Sequence, residues 1–508
     1  MTALNSVTLQ SPGTLGLNTQ DEDDIQDARY CVQADNCIIA KNGLLETRKG
    51  AAKVNTAAAT GTPNLDVVYS YIEDDGTENI VSTGGNQIWV GTTTLTDETG
   101  SLTITADNWQ FQNYAGEVFG YQTGHAPIFW DGVAASFALL SSKVTSAGLV
   151  NSHCHLSAYG RSWVVDTTTP SQINYSDLLV PEDFTNGSAG TIDLNTVWPY
   201  SNDTITCMAT HNNNLIIFCE RSIVIYGNAN DITNIALVEV IKDIGCIARD
   251  SVQNIGNDIL FLAKDGVRSL SRTILQDNMP QKEITNNVRD DIISDITSET
   301  ATLIRSTYNE KEGFYLLSFP SVPVVWAIDT RLSERDIFRL TRWTLQCYGL
   351  ATGADNDLYI GLAGGWLAKY DGYNDTDTAT GNIDQTYVVK YKSGWIKPVD
   401  SLSQLIWKRL TWYIASLGDI STVTKWAFDF IETEKNTTKS LPGIGASTYG
   451  SFKYGAGVKY GGTYQKQKLS VNMKGVGNII RVGFQSVVNG GKFAFNKTDL
   501  FFKAGRVR

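Results

Sequence analysis

Between about residue 65 and residue 375 one kind of segment recurs: a polar turn, a strand of β-branched or alternating apolar residues, a Gly/Asp/Asn turn, and a second strand that often carries an aromatic. Residues 79–81 with 87–91 form the first such pair, and 117–121 with 127–132 the second. The others are 155–159 with 162–166, 214–218 with 222–227, 258–262 with 266–270, 313–317 with 324–329, and 357–361 with 365–372. A hairpin of this kind buries only one face unless it stacks on a neighbour, and the spacing is close to a four-stranded propeller blade. The pattern therefore predicts a mainly β chain with a propeller-like region, or, because the spacing is irregular, two stacked sandwiches. Helix is the minority, with Ile284, Val288, Ile292, Ile293 and Ile296 giving the clearest 3.6-residue period.

The two ends read differently. Residues 25–36, behind the acids Asp21-Glu22-Asp23-Asp24, are expected to form a short helix with acids at its favourable end. Asn42-Gly43 then turns residues 37–41 back on residues 44–48 as a hairpin, since both turn residues accept positive φ. At the other end, strands are expected at residues 405–414, 468–473, 480–484, 492–495 and 499–503, which fits a separate antiparallel sandwich. The resulting division is an N-terminal helix and hairpin segment (1–60), a propeller-like domain (61–390) and a C-terminal β domain (391–508).

Composition narrows the class. With 42% hydrophobic residues, 12 Trp, 22 Tyr and 18 Phe in 508 residues, the chain has enough apolar surface to fold throughout. No apolar run reaches the roughly 18 residues of a membrane span, and the first residues lack the basic start and apolar core of a secretion signal. Synthesis and retention in a cytosol are expected. The seven cysteines are scattered, with no Cys-x-x-Cys, and read as reduced small hydrophobes. Charge is unevenly spread: residues 392–508 hold 18 Lys/Arg against 6 Asp/Glu, while the rest holds 23 against 47. Two surfaces with different partners are implied.

Catalytic signatures are scarce. No phosphate-binding Gly loop and no Gly-x-Ser-x-Gly elbow occurs, nor the repeated Ser-x-Asp-x-Gly boxes of propeller glycosidases. His153 and His155 on one strand would share a face about 7 Å apart, yet no third or fourth zinc ligand is recognisable beside them, so they read as packed or hydrogen-bonding residues. The four consecutive acids cannot all face one cation, which sets aside a metal site there. Most Trp residues alternate with core residues. The stretch 439–464, with Tyr449, Tyr454, Tyr460 and Tyr464 among glycines, is instead a candidate partner loop, because Tyr offers large contact area at low entropy cost.

At the N-terminus, Gly16-Leu17-Asn18, Asp27-Ala28, Ala34-Asp35-Asn36, Asn42-Gly43-Leu44-Leu45 and Arg48-Lys49-Gly50 together resemble the start of the tail-tube nozzle or hub proteins of short-tailed bacteriophages. The basic, Gly/Tyr-containing C-terminal part is similar too, whereas Lys49 stands where many relatives carry Pro. The resemblance implies a structural virion protein, made in the bacterial cytoplasm. It would form a homo-oligomeric ring of about six copies in the tail, below the head-to-tail connector or adaptor and in contact with tail fibre or tip proteins, through which genomic DNA leaves. It brings no catalytic residue and no cofactor, and it marks Gly16, Leu17, Asn18, Asn36, Asn42, Gly43, Arg48 and Gly50 as motif or interface positions. A propeller that reads host glycans is the alternative.

Overall fold

The computed structural model describes residues 4–105, 108–143, 148–199, 202–256, 258–275, 283–331, 338–398, 404–416, 420–431, 433–441 and 465–504. The seven hairpins fall in seven antiparallel blades that follow one another around a ring; six are sheets of their own, and blade 6 is continuous with a larger nine-stranded sheet. Blades 1 to 4 are complete four-stranded meanders: Val67–Ile72 to Thr96–Asp97, Gln110–Tyr114 to Ala138–Leu139, His155–Ala158 to Gly190–Asp193, and Ile205–His211 to Ala236–Lys242. Blade 5 has three strands (Gln253–Asn254, Ile259–Ala263, Gly266–Ser269), and the short helix Leu270–Leu275 packs beside the last two. Blade 6 runs from Arg305–Asn309 to Arg339–Trp343. Blade 7 (Gly349–Thr352, Leu358–Gly361, Leu367–Tyr370) takes its outer strand, Ala51–Lys53, from the N-terminal end, so the first and last blades are held by residues more than 300 positions apart.

Apolar clusters between neighbouring blades hold the ring. Tyr71 of blade 1 meets Trp130 of blade 2 with ring centroids 5.6 Å apart, Phe218 of blade 4 meets Phe261 of blade 5 at 5.1 Å, and Trp343 of blade 6 stacks on Tyr370 of blade 7 at 5.2 Å. Leu367 and Ala351 of blade 7 share one buried apolar cluster with Val68, Ile80 and Trp89 of blade 1, closing the ring. All twelve tryptophans are buried, and each large buried side chain contributes about 1.5–3 kcal/mol.

The C-terminal part is the expected sandwich, built with help from the N-terminus. In one sheet Leu405–Ser416 lies between Gln465–Gly477 and Phe493–Ala504, and the latter also pairs with Asn5–Gln10 and touches Leu45–Thr47 at Ala494. In the other, Ile480–Val488 lies between Tyr387–Ser393 and Ile420–Phe428, with Lys435–Leu441 at the edge. Trp412, Phe484 and Phe495 meet between the sheets. Cys31–Asp35 pairs with Tyr387–Ser393 and, in parallel at Asp35 and Arg342, with blade 6, so sandwich and propeller share a nine-stranded sheet.

Several expectations are corrected here. Residues 25–36 contain no helix: turns lead into the strand Cys31–Asp35, because pairing with Tyr387–Ser393 and burial of Cys31 and Ala34 outweigh weak local propensity. The acids before it serve as tethers, with Asp23 paired to Arg481 and Asp21 accepting from Asn18 Nδ2 at 2.7 Å. Residues 1–60 are not a body of their own, since their strands are divided between the sandwich and blade 7. The boundary at 390/391 falls inside the strand Tyr387–Ser393. At the Asn42-Gly43 turn only Gly43 has positive φ (+78°), and Asn42 Oδ1 accepts from the Leu44 amide instead, at 3.1 Å. The helix expected around residues 284–297 is present as Arg289–Ser298, with Ile292 on its buried face.

Candidate functional site

Six of the eight N-terminal motif residues gather where propeller and sandwich join. Arg48 is fully buried; both terminal nitrogens donate to Asp375, at 2.8 and 2.6 Å, and its Nε donates to Asn36 Oδ1 at 2.9 Å. Its guanidinium lies 4.0 Å from the Tyr387 ring centroid. Burial opposes the charge on Arg48, but Asp375 outweighs it and raises the pKa above the ordinary arginine value. Asn36, at φ +56°, donates to Thr344 Oγ1 and to the Val388 carbonyl at 2.7 and 2.8 Å and accepts from the Thr344 amide. Two side chains thus tie the N-terminal hairpin to blade 6, blade 7 and the sandwich.

The remaining motif positions fit closely around this hub. Gly16, at φ +80°, has no room for a Cβ, which would lie 2.7 Å from the Leu340 backbone nitrogen in blade 6. The Leu17 amide donates to the Leu340 carbonyl at 2.9 Å, and Asn18 Oδ1 accepts from the amides of Gln20 and Asp21. A Cβ on Gly50 would sit 1.9 Å from the Asn374 carbonyl oxygen. Gly50→Ala is therefore expected to lower stability by about 1–3 kcal/mol through overpacking, read as a lower urea midpoint with an unchanged slope. Asn42 and Gly43 lie apart from the hub, at the tip of the hairpin. Tyr449, Tyr454, Tyr460 and Tyr464 lie outside the described residues.

A second polar cluster closes the middle of the propeller. Its inner strands surround a cavity of about 470 Å³. Beside it, Arg249 holds Asp250 with two hydrogen bonds of 2.7 Å and donates to the carbonyls of Asn108, Trp109 and His153. Arg305 reaches Asp250 from blade 6 at 3.1 Å and donates to the Asp66 carbonyl of blade 1 at 3.0 Å. Burial pushes the Asp250 carboxyl up, but the two arginines hold it below the ordinary range. Nothing in the local pattern marks these residues beyond an Arg-Asp pair directly after Cys246-Ile247-Ala248. Their partners come from five blades.

The histidines do not converge. His153 Nε2–H donates to the Ile205 carbonyl at 2.8 Å, whereas His155 is buried, 3.1 Å from Ser162 Oγ. Among the described residues no group of three His, Cys, Asp or Glu side chains is placed to hold a metal ion. All seven cysteines are free and buried.

No protein-family model matches the chain, and no curated relative does. Among solved structures it is similar to the computationally designed Ika8 protein, at 12% identity over 63% of this chain and 100% of that one, with a TM-score of 0.36. It is similar also to the WD40 beta propeller domain of Doa1 (7% identity, 63% and 96% covered, TM-score 0.39). Kluyveromyces lactis Hsv2 is a third (8%, 52% and 82%, TM-score 0.32). The propeller assignment itself rests on the strand pairing within the chain.

Proposed function

We propose that the chain is a structural subunit of a short phage tail: a nozzle or hub protein, assembled in the bacterial cytoplasm, that docks below the head-to-tail connector, contacts tail fibre or tip proteins, and forms with its copies a ring through which DNA leaves. The observation that carries this reading is the partition of charge. Residues 392–508, with 18 Lys/Arg against 6 Asp/Glu, make most of the sandwich, while the propeller lies in the acidic remainder. An acidic or neutral wall lets DNA slide, whereas a wall of Lys and Arg holds phosphates by counterion release. Opposite charges on two bodies of one chain favour contacts between copies.

The cavity within the propeller adds a constraint. At about 470 Å³, with Arg249, Asp250 and Arg305 knotted beside it, it has the size of a small-ligand pocket. A duplex whose major groove alone is about 12 Å wide needs more space. In this reading the passage for DNA lies between copies. Burial of every Trp removes the indole platforms a glycan-reading propeller would use, and that alternative is left with the Tyr residues of 442–464, outside the described residues.

Electron micrographs of the purified or virion-bound protein are expected to show a closed ring, and the protein is expected not to retain duplex DNA on a gel at about 150 mM salt. Lone monomers in tails, or tight duplex retention, would count against the reading.

A further inference from the structure

The first sheet of the sandwich has a second face that the core does not use. Trp407, Trp412, Leu469 and Phe502 pack inward, so the alternate residues of the same strands point outward. Strand pairing sets these in rows: Lys468, Tyr413 and Lys497 lie abreast, Thr411 and Asp499 come in the next row, and Asn472, Arg409 and Phe501 in the one after. Tyr413 and Arg409 are thus about 13 Å apart along their strand. The four strands Asn5–Gln10, Leu405–Ser416, Gln465–Gly477 and Phe493–Ala504 hold seven Lys/Arg and one acid, Asp499.

Aromatic rings, more than carboxylates, hold these cations. The Arg409 guanidinium lies 4.2 Å from the Phe501 ring centroid, and the ammonium groups of Lys497 and Lys468 lie 4.4 and 5.6 Å from that of Tyr413. Arg409 makes no hydrogen bond or ion pair among the described residues, and its Nε is shut off from water without a partner. Asp499 is already engaged: Thr8 Oγ1 donates to it at 2.6 Å, and Lys497 lies 3.5 Å away. Burial pushes its carboxyl up, but the bonds from Thr8 and Tyr413 and the Lys497 charge hold it below the ordinary range. The acids around the sheet are engaged as well. Glu434 pairs with Lys392 and Lys425, Asp429 accepts from the amides of Asn478 and Ile479, and Glu46, whose strand meets this sheet at Ala494, lies in the field of Lys492.

We propose that this face binds single-stranded nucleic acid: unpaired bases stack on the Arg409–Phe501 pair and on Tyr413, and backbone phosphates meet Lys466, Lys468, Lys474 and Lys497. Charge alone fits any polyanion. Aromatic planes interleaved with the cations, and a guanidinium laid flat on a ring with its donors uncommitted, fit a polyanion that also carries open π-faces. An acidic protein surface would meet the lysines and leave the rings without a counterpart. A duplex keeps its base faces stacked inside, so the same face gives it phosphate contacts only. The inference goes beyond the ring reading and agrees with the weak duplex retention expected there.

The test is fluorescence anisotropy of the full chain with a labelled oligothymidylate of about 16 nucleotides, a duplex of the same length and polyglutamate, from about 50 to about 200 mM salt. The oligothymidylate is expected to bind about tenfold more tightly than either of the others. Arg409→Lys keeps the charge and loses the stacking plane, so affinity should fall about tenfold with the salt slope unchanged. Lys468→Gln with Lys474→Gln should lower the slope of log K against log salt by about 1.4, at roughly 0.7 for each phosphate lost. Both lysines are exposed, so the melt of this variant should match the parent and it carries the test if Arg409→Lys folds poorly. Lys264→Gln, at an exposed turn of blade 5, is expected to change neither affinity nor slope. No binding of oligothymidylate at about 50 mM salt would overturn the proposal, and so would parent-like binding by both variants. Polyglutamate held equally well would overturn it and make an acidic protein surface the occupant. A duplex held equally well would overturn it and count against the ring reading too, whereas micrographs without a ring would overturn that reading and leave this one standing.

Discussion

Arg48→Ala is expected to lower stability by about 3–5 kcal/mol, the range for removing one partner of a buried ion pair. The guanidinium is wholly inside the protein and makes two hydrogen bonds to Asp375, one to Asn36 and one, of 2.8 Å, to the Lys49 carbonyl. Without it the Asp375 carboxylate is left with the Ala51 amide at 2.9 Å, in a site water reaches poorly. The same residue joins the N-terminal hairpin to blade 7, so loss of the pair should loosen the Ala51–Lys53 strand that closes the propeller. The discriminating measurement adds a double variant, Arg48→Met with Asp375→Asn, which removes both charges and keeps bulk. Its urea midpoint should lie well above that of Arg48→Ala, since the larger cost is an unpaired buried charge. Equal midpoints for the two would show that the pair is not what holds the joint.

What was readable in the chain follows from how local each cause is. A hairpin is written in adjacent residues, by the period of its strands and the chemistry of its turn, and all seven hairpins are found in seven separate blades. Their place within a blade is not written there. Residues 155–159 with 162–166 are the first two strands of blade 3, whereas 214–218 with 222–227 are the middle pair of blade 4. The closing strand Ala51–Lys53 was unreadable for a similar reason: three residues with no alternation become a strand only because Leu367–Tyr370 offers an open edge. Cys31–Asp35 reads locally as helix because its strand partner lies some 350 residues downstream.

The motif positions show the same limit. The resemblance marks Asn36, Arg48 and Gly50, but their roles come from Thr344, Asp375, Asn374 and Val388, which no local window contains. A buried arginine is indistinguishable in sequence from a solvated one until the carboxylate that meets it is located. Arg249 and Arg305, both buried, carry no local mark for the same reason.

Acid should destabilise the protein through His155, with a loss of roughly 2–3 kcal/mol between pH 6.5 and pH 4.5 from this residue, at about 1.4 kcal/mol per pH unit. Burial without a neighbouring carboxylate lowers its pKa from 6.5 to about 3. Its ring lies 4.4 Å from that of Tyr121 and 6.3 Å from that of Phe119, both in blade 2, and its Nδ1 is buried without a hydrogen-bond partner. The folded chain therefore keeps this imidazole neutral down to about pH 3, while the unfolded chain protonates it as pH falls through 6.5. The unfolded state binds more protons throughout that window, so stability is whole above pH 6.5 and declines below it. His153 adds to the decline, because burial lowers its pKa too, against the opposing pull of its bond to Ile205. Urea midpoints measured from pH 7.5 to pH 4.5 should fall less steeply for His155→Phe than for the parent, by close to one proton's worth of slope, even if the variant starts lower after losing the Ser162 contact. Parallel slopes would mean that His155 is protonated in the folded protein at mild acidity. The packing of blade 2 on blade 3 would then have to admit a charge beside the buried Tyr121 ring.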